Sequence, residues 1–448
     1  MSKILLISPP FYRLMGSHYN GLNLGIDYIA SFLNQNGHEV IIYNADFQND
    51  TNYLDQRKLF ENFNQYKTIL DDKNHSIWKE VREVIKDVKP DFIGIKMYTG
   101  TFKSAQNVAE IAKELNPEIK IIAGGTHPTL DPIGTMKTGV YDYVVRGEGE
   151  YTVLELMNGI DAYQIKGITF KNREGENVNN ADRGFIENLD SLPFPQRDNY
   201  YSGNDCIDVG SIITSRGCPF QCTYCASPQI WDKKTRYRGV DNVLEELEYM
   251  TNSKGVSLIR FQDDTFTLNK KRAMEILDGI LSKGLNIKWV CDTRVDKLDK
   301  EVLQIMKKSG CIRVKIGVES GSDEILKRVK KGISLEQIRN AVKLIKEIAI
   351  PLTAYFMIGF PGETDDDVRK TIQFAEEINA DYNSLSVIAP YFGTQVYNDL
   401  EQSGFEFDKH HWEYFYHQSK AMILNTGISR HLINEFFALN DKGKGKRV

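Results

Sequence analysis

The chain has 448 residues, 41% of them apolar and 26% charged, a globular balance that excludes a disordered or fibrous protein. Its 56 Lys and Arg against 61 Asp and Glu leave a net charge of −5, the wrong sign for a protein working mainly through nucleic-acid phosphates. No apolar run approaches the ~20 residues needed to span a bilayer, and the opening MSKILLISPPF reads as a first strand and not a signal peptide, so a cytoplasmic location is expected.

In chain order, the first 150 residues alternate short β-like runs at 3–8, 39–43, 92–97, 119–123 and 141–145 with helical periods at 24–36 and 103–115. Gly37 stands where the first of these helices would end. This rhythm predicts an α/β class with a doubly wound parallel sheet over residues 1–155, its ligands expected beyond the carboxyl ends of the strands. Those ends read Ser8-Pro9-Pro10, Met97-Tyr98-Thr99-Gly100, Gly124-Gly125-Thr126-His127-Pro128 and Arg146-Gly147-Glu148-Gly149-Glu150. Residues 48–75 have no clear period and read as a helical insertion or a cap over the sheet. Residues 156–205 read as a linker with a small hairpin.

A second strand–helix series follows, with strands predicted at 211–214, 258–262, 287–291, 313–318, 352–358 and 383–388. Six such units over residues 206–400 predict a partial, open (β/α)6 barrel with catalytic groups at strand carboxyl ends. Residues 401–448 form a short C-terminal extension, helical and aromatic. Its His410, His411, Trp412, Tyr414 and Tyr416, with the region 231–238, read either as substrate determinants or as packing of the tail onto the barrel.

Three of the six cysteines, Cys218, Cys222 and Cys225, form a Cys-x3-Cys-x2-Cys loop directly after a predicted strand. Three thiolates on one short loop can hold three irons of a cubic 4Fe–4S cluster and leave the fourth iron open. A closed zinc site would want a fourth Cys or His nearby, and the flanking histidines in sequence are the distant His127 and His410. Cys206, Cys291 and Cys311 share no CxxC spacing and read as structural, with Cys206 the one candidate for an active-site thiol.

On these residues the chain resembles the radical S-adenosylmethionine (SAM) superfamily, whose signature is this spacing with an aromatic residue before the third Cys, here Tyr224. The likeness runs over residues 209–400. Phe261-Gln262-Asp263-Asp264-Thr265-Phe266-Thr267, Cys291-Asp292-Thr293-Arg294, Gly317-Val318-Glu319-Ser320-Gly321 and Gly359-Phe360-Pro361-Gly362-Glu363-Thr364 look like the family's successive strand ends. The resemblance implies that Cys218, Cys222 and Cys225 hold the cluster and that its open iron chelates SAM. One electron from the cluster would then cleave SAM to a 5′-deoxyadenosyl radical. Tyr224, Gln262, Asp263, Arg294, Glu319 and Ser320 are the SAM contacts it implies, although Asp263-Asp264 also suits a helix cap. A flavodoxin or ferredoxin is implied as electron donor.

The first domain is similar to the cobalamin-binding domain of one large branch of that superfamily, with Pro9, Thr99, Gly124, Gly125, Thr126, Gly147 and Glu148 as the implied cobalamin contacts. Glycines at strand ends let backbone approach a flat corrin closely. One departure matters: Asp-x-His-x-x-Gly, which ligates cobalt from below, is absent, since His18 in Ser17-His18-Tyr19-Asn20-Gly21 lacks the Asp. Cobalamin bound without a histidine ligand is therefore expected. The branch implies a methyltransferase acting on an unactivated carbon of a small-molecule or natural-product substrate, using two SAM per turnover. Its alternative is oxidation, cyclisation or ring rearrangement with the same cofactors. A tRNA methylthiolase does not suit an acidic chain whose residues 1–205 lack cysteine, and the set of SAM-site motifs argues against a non-catalytic sensor. Lipid, tetrapyrrole, peptide and natural-product substrates all remain open.

Overall fold

The structure, a computed structural model, describes residues 1–49, 54, 56–201, 207–419 and 428–439. The described residues of 1–208, 391–393 and 405–419 form one compact unit, and those of 209–390, 394–404 and 428–439 form another.

The first unit is built on a seven-stranded sheet: β1 (Lys3–Ser8), β2 (Glu39–Asn44), β3 (Phe92–Lys96), β4 (Lys120–Gly124), β5 (Tyr143–Val145), β6 (Ile168–Lys171) and β7 (Asn177–Asn179). The order is β2-β1-β3-β4-β5-β6-β7, with the first five parallel. Runs such as Ile4–Ile7 and Ile121–Ala123 are apolar on both faces and almost fully buried, as a sheet covered by helices on both sides requires. The helix Leu24–Gln35 connects β1 to β2, and Phe102–Leu115 connects β3 to β4. The order of connections across the sheet reverses between β1 and β3, the switch point at whose carboxyl ends ligands bind in such sheets.

Residues 156–201 carry the expected small hairpin, and it joins the sheet. β6 and β7 extend the sheet antiparallel to β5. Buried Arg146 fastens them through Thr169 Oγ1 at 2.5 Å, Asn179 Oδ1 at 2.6 Å and the Asn180 carbonyl. The aperiodic stretch near 48–75 carries the helices Gln56–Glu61 and Phe63–Asp71, so the helical-insertion reading holds where it is described. The aromatic stretch 405–419 also belongs to this unit, whereas the tail helix Arg430–Ala438 packs on Asp365–Ile378 of the second unit. Tyr416 meets Phe11 and Tyr66 edge-on at 5.3 and 5.9 Å and donates to the Leu59 carbonyl. Tyr414 meets Phe63 at 5.2 Å, and Trp412 packs beside His127.

The second unit holds six parallel strands, β8 (Ser211–Ile212), β11 (Leu258–Phe261), β12 (Lys288–Thr293), β13 (Cys311–Glu319), β14 (Leu352–Ile358) and β15 (Tyr382–Val387), in sequential order from β8 to β15. The sheet does not close, as six of eight barrel units should not. Between β8 and β11 a two-stranded ribbon, β9 (Ser215–Arg216) with β10 (Arg236–Tyr237), is antiparallel. The intervening helices start where their sequences say: Asn269, Asp299, Ser334 and Thr364 each cap a helix N-terminus, the last two as capping boxes. Cys291 and Cys311 are buried in β12 and β13, while Cys206 lies outside the described residues. Among the described residues no helix is long and apolar enough to cross a membrane.

Candidate active site

The cysteine loop leaves β9 at Gly217, whose φ is +99°. A Cβ there would collide with the Lys234 carbonyl, so the ribbon can turn into the loop only at glycine. Cys225 N–H donates to the Cys222 carbonyl at 3.1 Å, and Ser227 N–H points at Cys225 Sγ at 3.4 Å. Among the described residues no three His, Cys, Asp or Glu side chains converge on one point as a single metal ion requires. Three partly exposed thiols, with no fourth ligand among the described residues, suit the separate corners of a cubane better than a zinc ion. Burial raises the Cys218 thiol pKa and pushes Cys225 up to about 12, and a bound metal would favour the thiolate at both.

Tyr224 packs beside Phe360, ring centroids 5.7 Å apart, over a buried cluster that includes Ile325, Val329, Met357 and Ile388. The loop is tied down through Thr223, whose N–H donates to the Val329 carbonyl and whose own carbonyl accepts from Val396. Phe360 sits in the turn after β14, which Glu363 organises by accepting from the Gly359 and Phe360 N–H groups at 2.5 and 3.1 Å. Burial raises the Glu363 pKa to about 7.

Glu319 ends β13 in a left-handed conformation, φ +68°, which is uncommon for a non-glycine residue and is found at functional sites. Its Oε1 accepts from Lys331 Nζ at 2.6 Å, and Lys331 also reaches Tyr224 Oη at 3.4 Å. Glu319, Lys331 and Tyr224 therefore come together beside the cysteine loop. Lys331 is the residue that the motifs missed, since nothing in Lys330-Lys331-Gly332 marks one lysine over the other.

Other expected SAM contacts are placed differently. Arg294 is 6% exposed. It bonds Asp296 and the Lys331 carbonyl, and its guanidinium lies 3.6 Å over the ring of Phe220, between the first two cysteines. Asp263 is buried and accepts from Thr214 N and Oγ1 and from Ser215 Oγ, holding the base of the cysteine loop instead of facing the mouth. Ser320 is fully buried against Thr371 Oγ1. Gln262 is exposed, with its amide 3.4 Å from Ser211 Oγ.

In the first unit Pro9, Thr99, Gly124, Gly125, Thr126, Gly147 and Glu148 gather along the carboxyl ends of the adjacent strands β1, β3, β4 and β5. Gly125 has φ +115°, and a Cβ would lie 2.7 Å from the Met97 carbonyl. Gly147 has open space where a Cβ would stand, and Gly124 nearly so, which suits the close approach of a flat ligand. Glu148 is spent on the Ile186 N–H at 2.8 Å. His127 Nδ1 and Thr99 Oγ1 are hydrogen-bonded at 3.1 Å, and burial lowers the His127 pKa to about 3, so the ring is neutral. Its Nε2, like that of His18, is buried with no hydrogen-bond partner among the described residues.

Two family models match this chain: the radical SAM superfamily over residues 212–375 and the B12 binding domain over residues 16–157. An uncharacterized methyltransferase of Pyrococcus horikoshii is 35% identical over 408 residues, 88% of this chain and 82% of that one. Cytidylyl-2-hydroxyethylphosphonate methyltransferase of Streptomyces wedmorensis is 26% identical over 85% of this chain and 78% of its own length. The anaerobic magnesium-protoporphyrin IX monomethyl ester cyclase of Rubrivivax gelatinosus is 27% identical over 74% and 63%. The fold is shared with the radical SAM methyltransferase TsrM of Kitasatospora setae, solved with cobalamin and a 4Fe–4S cluster, at a TM-score of 0.71 and 19% identity over 90% of this chain and 78% of that one. The chain belongs to the cobalamin-dependent radical SAM enzymes. Its cofactors are a 4Fe–4S cluster, SAM and cobalamin, and within the family it stands with the methyltransferases.

Proposed function

We propose that the enzyme transfers a methyl group to an unactivated carbon of a small molecule, in an oxygen-protected cytoplasm, with electrons from a flavodoxin or ferredoxin. The observation that carries this reading is the meeting of three loop cysteines, Tyr224 and the Glu319–Lys331 pair at one end of the second sheet. When bound, the cluster with SAM supplies a carbon radical able to remove an unactivated hydrogen, and cobalamin supplies the methyl group.

The chain's own residues do the rest. Cys218, Cys222 and Cys225 hold three irons. Glu319 and Lys331 offer an acceptor and a donor matched to the ammonium and carboxylate of SAM, and Tyr224 with Phe360 gives an apolar wall that limits water. The glycine edge at 124, 125 and 147 would take the corrin, and the missing Asp-x-His-x-x-Gly supports its binding there without a histidine ligand.

Anaerobic reconstitution with SAM and reductant should yield 5′-deoxyadenosine together with S-adenosylhomocysteine, and Cys222→Ala should abolish the former while cobalamin binding persists. Full activity in that variant would refute the assignment. The likeness to the Rubrivivax cyclase favours a second reading, oxidative cyclisation. 5′-deoxyadenosine without S-adenosylhomocysteine would select it.

A further inference from the structure

The two faces of the second unit's sheet differ in chemistry, and residues in register across parallel strands share a face. One face carries Ile212, Phe261, Cys291, Val314, Ala354 and Phe356, all buried and apolar. Helices Lys300–Lys308, Leu335–Glu347 and Asp365–Ile378 pack against β13 and β14. On the other face Asp292, Lys315, Thr353 and Tyr382 form one row of register partners, and Gly317, Tyr355 and Ser384 form the next row toward the carboxyl ends. A closed eight-stranded barrel fills such positions with branched apolar side chains. Here they hold a linked polar cluster. Tyr355 Oη donates to Asp292 Oδ1 at 2.6 Å, and Lys315 Nζ lies 3.5 Å from Asp292 Oδ2.

Gly317 joins this cluster to the Glu319–Lys331 pair, because a Cβ there would collide with both Glu319 Oε1 and Lys331 Nζ. Tyr355 stands opposite that bare position. Asp292 and Lys315 keep 31% and 27% of their side-chain surface. An ammonium can donate three hydrogen bonds and a carboxylate can accept about four, so one long ion pair and one phenol leave capacity for a ligand.

We propose that Lys315, Asp292 and Tyr355 form the substrate-holding subsite, and that the substrate is a hydrophilic molecule bearing an acidic group. Its carboxylate or phosphoryl oxygens lie on Lys315, and a neighbouring hydroxyl or amine donates to Asp292. The location of the reacting carbon at this end of the sheet rests on the radical-methylation reading above, whereas the substrate chemistry comes from the wall itself. A hydrocarbon lying here would strip water from these groups and return no partner, which is how polar sites reject apolar competitors.

The test uses the oxidised holoenzyme carrying cluster, cobalamin and SAM, with binding followed by saturation-transfer NMR. The probes are phenyl phosphate against phenol, and 3-phenylpropionate against 3-phenylpropanol. At least one acid should bind about tenfold or more tightly than its neutral counterpart, and whichever acid shows the preference distinguishes phosphoryl from carboxylate. Lys315→Met should erase the preference, with iron, sulfide and circular dichroism confirming that the variant is intact. Asp292→Asn removes the competing carboxylate and should raise acid affinity, which keeps the proposal testable if Lys315→Met fails to fold. Neutral probes binding as well as the acids, no acid binding at all, a preference that survives Lys315→Met, or acid affinity in Asp292→Asn that is unchanged or lower would overturn it. Failure of the radical reading would appear separately, as no 5′-deoxyadenosine from the unaltered enzyme under reductant.

Discussion

Lys331→Met removes one half of an ion pair whose two side chains each keep 8% of their surface. Glu319 would be left buried, and its left-handed backbone, φ +68°, gives it no easy swing to solvent. Breaking such a pair by removing one partner costs about 3–5 kcal/mol, because the surviving charge keeps its desolvation and loses its counter-charge. For a unit of about 200 residues, 1 kcal/mol moves Tm by about 2–4 °C, so the calorimetric transition of the second unit should fall by about 6–20 °C. Glu319→Leu combined with Lys331→Met removes both charges and should recover all but about 1 kcal/mol, since well-packed apolar replacements of a buried pair are often neutral. Both variants should nevertheless lose SAM binding, measured by equilibrium dialysis, and that separates the pair's structural cost from its role in the site. A shift below about 2 °C in the single variant, or a double variant as unstable as the two single losses added, would refute the reasoning.

At the glycine edge of the first unit, Gly125→Ala forces a methyl to within 2.7 Å of the Met97 carbonyl at φ +115°. A strained backbone of this kind costs about 1–3 kcal/mol, so affinity for hydroxocobalamin should fall about tenfold, and unchanged binding would count against the proposed edge. His127 stays neutral in the folded chain, with a pKa of about 3, while the unfolded ring takes up a proton below about 6.5. Its contribution is therefore complete above pH 6.5 and lost as pH falls, by about 1.4 kcal/mol per unit. Denaturant titrations of the cofactor-free chain at pH 6.5 and 4.5 should show the wild type losing about 2 kcal/mol more than His127→Gln, and equal slopes would contradict the burial of that ring.

The parts of the fold that were legible in the sequence are those governed by local pattern. The strand at 352–358, apolar but for Thr353 and the Tyr355 hydroxyl, ends at a Gly-Phe-Pro-Gly turn and is followed by Thr364, whose side chain caps the next helix, so every signal there agrees. The cysteine loop was legible because its ligand spacing lies within eight residues. Strands as short as β6 and β7 carry too few residues for a period, so a small hairpin was legible there but not its pairing with β5.

Site membership was only half legible, and Asp263, Ser320 and Arg294 say why. Each lies at a strand end, as expected, but position along a strand determines which edge a side chain is near and not which partner reaches it first. Thr214, 49 residues before Asp263, takes that carboxylate, and Thr371, 51 residues after Ser320, takes that hydroxyl. Lys331 shows the converse. It enters the site because Glu319 turns left-handed and Gly317 leaves the space between them open, two backbone facts that no side-chain pattern announces. Asp292 combines both cases. The strand-end motif marks it, but only the register that sets it beside Lys315, with Tyr355 bonded across, turns a polar strand end into a surface with a chemical preference.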